Sequence, residues 1–145
     1  MHADLQSLYR ETLIKQSRNP KNNYAIEGAN RQSELKNPLC GDVVTIYLSV
    51  SGDRIEEASF EAQCCSICRA SASMLTTRIA GSDSLSAKSL AEDLIAFLNA
   101  PDSDIFDKDD SLQALSGVKA FASRIRCATL PWEAFQKAIA NQETV

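Results

Sequence analysis

Three short stretches carry thiols and a carboxylate that one metal ion could gather. They are Pro38-Leu39-Cys40-Gly41-Asp42, Cys64-Cys65-Ser66-Ile67-Cys68 and Arg124-Ile125-Arg126-Cys127. Cys40, Asp42, Cys65 and Cys127 make a candidate site of three sulfurs and one oxygen. Zinc takes cysteine thiolate and aspartate oxygen in tetrahedral geometry, so the donor set suits it. Three thiolates and a carboxylate outweigh a dication, and Arg124 and Arg126, which flank Cys127, could offset the excess. A structural zinc site is more usually built from cysteine and histidine alone. An aspartate among sulfurs therefore suggests a site that exchanges a ligand or releases a cargo.

Each thiol must be positioned by a different element. Cys40 and Asp42 sit on the loop entering a strand, with Gly41 between them. Cys65 sits where a strand gives way to a helix, and Cys127 near the start of the last helix. Helix N-termini favour thiolate over thiol, because their unpaired N–H groups carry partial positive charge. Cys65 and Cys68 also match a C-x-x-C redox spacing at a helix start, although the order of elements around them is not that of a thioredoxin-like βαβ unit. His2, the only histidine, lies at the terminus and is not expected to be a ligand.

The 145 residues and 44% apolar content fit one folded domain, residues 1–145, able to bury a core without staples. A net charge of -4 without a basic run argues against nucleic acid or an anionic membrane surface as partner. No apolar run is long enough to span a membrane, and the N-terminus shows no signal-peptide hydrophobic region. The expected location is the cytoplasm, a reducing compartment where disulfides are rare. Five cysteines there need another explanation, and the odd count with the adjacent Cys64-Cys65 pair argues against a disulfide framework.

Apolar spacing predicts a first helix over residues 3–17, ended by Asn19-Pro20, then a polar loop to about Asn37. Asp42–Val50 and Arg54–Glu61 read as a hairpin around Ser51-Gly52-Asp53. A third strand is not clearly marked. From Ser66 the period becomes helical, and Gly81 ends that helix. Ser84 or Ser86 should cap the next, which carries Leu90, Leu94, Phe97 and Leu98. Pro101–Asp110 reads as an acidic connection whose last aspartates cap a short helix over Ser111–Ser116. A final helix is expected from about Cys127 to Asn141, with Pro131 tolerable only near its first turn. Helices segregated from strands make the fold α+β, a small antiparallel sheet of about three strands packed by helices.

These motifs closely resemble the NifU-like iron–sulfur assembly family, in its SufU branch rather than its IscU branch. The resemblance runs through nearly the whole chain. It is carried by Asn19-Pro20-Lys21-Asn22, by Asn37-Pro38-Leu39-Cys40-Gly41-Asp42, and by Cys65-Ser66-Ile67 with Ala70-Ser71-Ala72-Ser73-Met74. Gly117-Val118, then Arg124-Ile125-Arg126-Cys127-Ala128-Thr129-Leu130 and Trp132, complete it. The long insert between Cys65 and Cys127, and Arg126 where the other branch has a histidine, favour the SufU branch. The resemblance implies a zinc ion on Cys40, Asp42, Cys65 and Cys127. It also implies persulfide sulfur received from a cysteine desulfurase, with Cys40 as acceptor and Arg124 in support. The family's other role is a scaffold that builds a labile iron–sulfur cluster on Cys40, Cys65 and Cys127 and passes it to apo acceptor proteins.

The chain departs from the family pattern at several positions. Ala62 and Cys64 stand where glycines are usual, Cys68 replaces a serine, Ala122 a proline, and Gln16 a common histidine. If residue 62 or 64 needs a positive φ, the turn before Cys65 must differ here. Cys64 and Cys68 are open as extra ligands, a redox pair with Cys65, or neutral packing. Beside the sulfur acceptor and the scaffold stand two other readings: a zinc-stapled interaction module and a thiol redox protein.

Overall fold

β-Branched residues and strict alternation make Asp42–Ser51 the spine of the sheet. The computed structural model describes residues 2–39, 41–100, 106 and 110–141, with side chains from Ser7 onward. In chain order the elements are α1 (His2–Arg18), β1 (Arg31–Asn37), β2 (Asp42–Ser51), β3 (Arg54–Gln63), α2 (Ser66–Ile79), α3 (Ser84–Asn99), a 3-10 helix (Ser111–Ala120) and α4 (Ala122–Ala140). The three strands form an antiparallel sheet in the order β1-β2-β3. The expected α+β architecture is therefore the observed one.

Alternation along β2 sends Asp42, Val44, Ile46 and Leu48 to the buried face. Helices α2 and α4 cover that face, α1 packs on α2 and on the 3-10 helix, and α3 packs on α4. Trp132, Phe60, Phe97 and Phe135 are the largest fully buried side chains. Each large apolar side chain buried in this way contributes about 1.5–3 kcal/mol.

Four local expectations are corrected. The polar stretch before Asn37 is not all loop, because Arg31–Asn37 pairs with β2 from Arg31↔Leu48 to Asn37↔Asp42. Its inward positions are Arg31, Ser33, Leu35 and Asn37, so it lacks the apolar alternation of a half-buried strand. The cap of α3 is Asp83, whose carboxylate accepts from the Ser86 amide at 2.7 Å, rather than Ser84 or Ser86. The last helix begins at Ala122, five residues before Cys127, and the short 3-10 helix extends beyond Ser116 to Ala120.

Pro131 therefore lies inside α4 rather than in its first turn. It removes the amide that would bond the Cys127 carbonyl. The tight packing of this stretch, where Leu130, Pro131 and Trp132 are all buried, holds the helix across that gap. Most of the acidic connection, residues 101–105 and 107–109, lies outside the described residues. Its end behaves as expected: Asp110 accepts from the Leu112 amide at 2.9 Å and pairs with Arg78.

Candidate metal centre

Asp42 is the first residue of β2 and falls on the inward face by register, leaving its carboxylate only 5% exposed. Its Oδ1 accepts the Cys65 amide at 3.2 Å. Its Oδ2 is buried and has no protein partner. A buried carboxylate oxygen without a partner is costly unless something else neutralises it.

Cys65 is the N-cap of α2, in extended conformation (φ -67°, ψ 169°), and its side chain makes no capping bond. The thiol is thus left available at the helix N-terminus, as anticipated. Cys127 is different. It sits in the second turn of α4, so the helix-terminus argument for its ionisation does not apply. Burial first, then hydrogen bonding to Cys65 and the negative charges of Cys65 and Asp42, push the Cys127 thiol up to about 12.

The ligand atoms of Asp42, Cys65 and Cys127 lie within 4.8 Å of one another. In a tetrahedral zinc site with Zn–S near 2.3 Å, neighbouring donors stand about 3.8 Å apart. The three donors already surround one point. The orphaned Oδ2, and a thiol held protonated by burial and negative neighbours, are what a divalent cation would remedy. The residues present therefore fit a metal ion. Cys40, the fourth expected ligand, lies outside the described residues.

The loop that carries Cys40 is framed by its neighbours. Asn37, 4% exposed, accepts the Leu39 amide on its side chain at 3.2 Å and the Gly41 amide on its carbonyl at 2.8 Å. Gly41 has φ +77°, a backbone region that strains any residue with a Cβ. Asn37 was not singled out from sequence, although an Asn-Pro pair at a strand end is a turn signal.

The two cysteine-bearing helices are clamped together. Trp132 Nε1 donates to Ser71 Oγ at 2.9 Å, and Ser71 Oγ donates to the Ala128 carbonyl at 2.5 Å, all within the core. Ser71 lies on α2 with Cys65, and Ala128 follows Cys127 on α4. Residues around Asn19-Pro20-Lys21-Asn22 anchor the other flank of α2. The Lys21 amide donates to Ser73 Oγ at 2.8 Å, and Ser73 Oγ donates to Gln16 at 2.5 Å. Gln16, standing where a histidine is common, thus serves as an acceptor for α2.

Arg126 pairs with Glu133 at 3.2 Å, so its charge is already shared on α4 rather than reserved for the donor cluster. Arg124 is exposed in the first turn of α4, one turn before Cys127. The only positive φ at a non-glycine residue among the described residues is at Asn22, so Ala62 and Cys64 need no glycine geometry. Cys64 is not part of the donor trio. It is half-buried and packs against the core, in which Cys68 is fully buried.

Known proteins resemble this chain along most of its length. The NifU-like N terminal domain family matches residues 8–144. The chain is 36% identical over 145 residues to the zinc-dependent sulfurtransferase SufU of Bacillus subtilis, covering 98% of this chain and 96% of that protein. It is 30% identical over 137 residues to the iron–sulfur cluster assembly scaffold protein IscU of Streptococcus pyogenes, covering 94% and 86%. A crystal structure from Fervidobacterium islandicum, assigned as an iron–sulfur cluster assembly scaffold for the SUF system, superposes with a TM-score of 0.81. The two share 28% identity over 89% of this chain and 94% of that one.

Proposed function

Since the chain belongs to the NifU-like N terminal domain family, we propose that it is a zinc-dependent sulfur acceptor in iron–sulfur cluster assembly, working in the cytoplasm with a cysteine desulfurase. The observation that carries this reading is the meeting of Asp42, Cys65 and Cys127 around one point, with Asp42 Oδ2 unpartnered, beside the loop bearing Cys40. In it Cys40 completes the ligand set. Bound zinc would supply positive charge that holds these thiols as thiolates.

The Cys40 thiolate attacks the terminal sulfur of the desulfurase persulfide. A new S–S bond forms at Cys40, the old one breaks, and its electron pair leaves with the donor cysteine as thiolate. Asp42 and Cys65 fix the far side of the site, because the Cys65 amide holds the carboxylate in place. Arg124, exposed one turn before Cys127, supports the approach of the partner.

Apolar surface suits such a partner. Leu39 is 94% exposed next to Cys40, and Phe121 is 62% exposed at the start of α4. Phe121 borders a groove of about 290 Å³ lined also by Tyr9, Leu13, Ile67 and Val118, and Ile67 is two residues from Cys65. No helix among the described residues is long and apolar enough to cross a membrane.

The test is metal analysis of freshly purified protein together with desulfurase stimulation. About one zinc per chain, and stimulation lost in Cys40→Ala, are expected. Undiminished sulfur acceptance by that variant would remove Cys40 from the mechanism. The scaffold reading keeps one specific support: thiolates are also the ligands of iron–sulfur clusters, and Cys65 and Cys127 face each other. It requires a cluster that forms on anaerobic reconstitution and passes to an apo acceptor protein.

A further inference from the structure

Two members of the donor trio are tied to one peptide group. The peptide between Cys64 and Cys65 is trans, so its C=O and N–H point in opposite directions. The N–H end donates to Asp42 Oδ1 at 3.2 Å. The C=O end accepts from Arg69 Nη1, also at 3.2 Å. Arg69 is the fourth residue of α2, and its own amide donates to the Cys65 carbonyl at 3.1 Å. It therefore holds the peptides on both sides of Cys65. Its Nε donates to the Ser17 carbonyl at 3.3 Å, in the last turn of α1, where carbonyls lack a helical partner. The guanidinium is half-buried and pairs with no carboxylate among the described residues, whose ion pairs are Arg78–Asp110 and Arg126–Glu133. A cation near a helix N-terminus opposes the helix dipole, and the first turn of α2 has no acidic residue to offset it. What compensates Arg69 is the C-terminal end of α1 on one side and, across the peptide, the Asp42 carboxylate on the other.

We propose that Arg69 is a positioning residue of the metal centre, which fixes Asp42 and Cys65 together through the peptide between Cys64 and Cys65. This rests on the reading of Asp42, Cys65 and Cys127 as metal ligands, and not on sulfur acceptance. Hydrogen bonds in a chain polarise one another, so a cation on the carbonyl makes the N–H of the same peptide a better donor to the carboxylate. Rotation of that peptide would turn the N–H away from Oδ1 and carry Cys65 with it, because the Cys65 Cα lies in the peptide plane. With Oδ1 engaged, Oδ2 is the oxygen left for a cation. The two hydrogen bonds and the bonds between them place the guanidinium within about 9 Å of the carboxylate. Arg126 shares its charge with Glu133 and Arg124 is exposed, whereas Arg69 brings an unshared, half-buried charge to the donors. Arginine suits this place because its planar fork donates to the Cys64 and Ser17 carbonyls at once, which a single ammonium on a flexible stem does not reproduce.

The experiment compares full-length wild type, Arg69→Met and Arg69→Lys. Zinc affinity is measured by competition with a chromophoric chelator, ligand geometry by the visible bands of cobalt(II)-substituted protein, and stability by urea unfolding in chelator or in zinc. Arg69→Met should bind zinc about 10–100-fold more weakly, the loss usual for an outer-sphere partner of a metal ligand. Its cobalt bands should shift from those of wild type. Arg69→Lys, which keeps the charge and one donor, should recover part of the affinity. A merely structural tie between α1 and α2 would lower the urea midpoint equally in chelator and in zinc, whereas a positioning role narrows the gap between the two midpoints. In an Asp42→Ala background, which removes the carboxylate end of the chain, Arg69→Met should cause a clearly smaller fold-loss of zinc affinity. Wild-type zinc affinity in Arg69→Met overturns the proposal, as does a fold-loss that Asp42→Ala leaves undiminished. Should Arg69→Met fail to fold, Arg69→Gln repeats the test under the same criteria. Wild type that binds no zinc overturns both the proposal and the metal centre. Zinc bound by wild type and weakened in Arg69→Met supports the proposal whatever the desulfurase assay shows, so the sulfur-acceptor reading and this one fail separately.

Discussion

Replacing Asp42 by asparagine should change stability in opposite directions with and without metal. The carboxylate is 5% exposed, Oδ1 has one amide donor at 3.2 Å, and Oδ2 has no protein partner. Asparagine keeps an oxygen for the Cys65 amide and removes a buried charge. Relief of an uncompensated buried group amounts to about 1–3 kcal/mol. In a domain of this size that raises the melting temperature of metal-free protein by about 2–12 °C. With zinc present the sign reverses, because the variant has lost a ligand. Even outer-sphere partners of metal ligands change affinity by about 10–100-fold when removed. Each hundredfold loss of affinity removes about 2.7 kcal/mol of metal-linked stability. The assay is urea unfolding followed by the fluorescence of Trp132, the single tryptophan, fully buried in the fold, with excess chelator or with zinc. Asp42→Asn should unfold later than wild type in chelator and earlier in zinc. A variant that unfolds earlier in chelator would refute the argument that Oδ2 is uncompensated without a cation.

Ser71→Ala should cost about 1–3 kcal/mol by leaving the Trp132 indole N–H unpaired in the core, read as a lower urea midpoint; an unchanged midpoint would mean that the bond between α2 and α4 contributes nothing net. Gly41→Ala should cost about 1–2 kcal/mol through its left-handed backbone, although an added Cβ would meet nothing within 4 Å; stability equal to wild type would show that the loop relaxes to negative φ without loss. The metal-free protein should weaken at alkaline pH. The folded Cys127 thiol titrates at about 12 against a reference of 9.0, so the unfolded chain gives up its proton first. That stabilisation is complete below pH 9.0 and is lost as pH rises to about 12. Unfolding midpoints of metal-free Cys127→Ala should fall less steeply across this window than those of metal-free wild type, and parallel slopes would count against the assignment.

The chemistry was more legible in the sequence than the elements that carry it. Asp42, Cys65 and Cys127 stood out by residue type, and they do meet. β2 was legible because its inward face is Val44, Ile46 and Leu48. β1 was not, since Arg31, Ser33 and Asn37 occupy three of its four inward positions and a strand of this kind carries no hydrophobic period. Its pairing depends on β2 and on packing by α4, which are tertiary facts. The burial of Asp42 was in principle readable. Continuing the alternation of Val44, Ile46 and Leu48 by one step places the carboxylate on the core face.

Pro131 misled for a physical reason. A proline ordinarily marks a first turn, because there its missing amide bonds to nothing, and that reading moved the start of α4 toward Cys127. Inside the helix the missing amide falls opposite the Cys127 carbonyl, four residues earlier. Burial of this stretch and the Ser71–Ala128 bond hold the chain there, so propensity is overruled by packing. The same packing places Cys127 away from any helix terminus, in surroundings that keep its proton on. Cys65 has a helix N-terminus and Asp42 has the Cys65 amide, but Cys127 has only negative neighbours. Of the three donors, Cys127 therefore has the most to gain from a cation. Its ionisation should follow metal binding rather than precede it, with one proton released from this thiol as zinc enters.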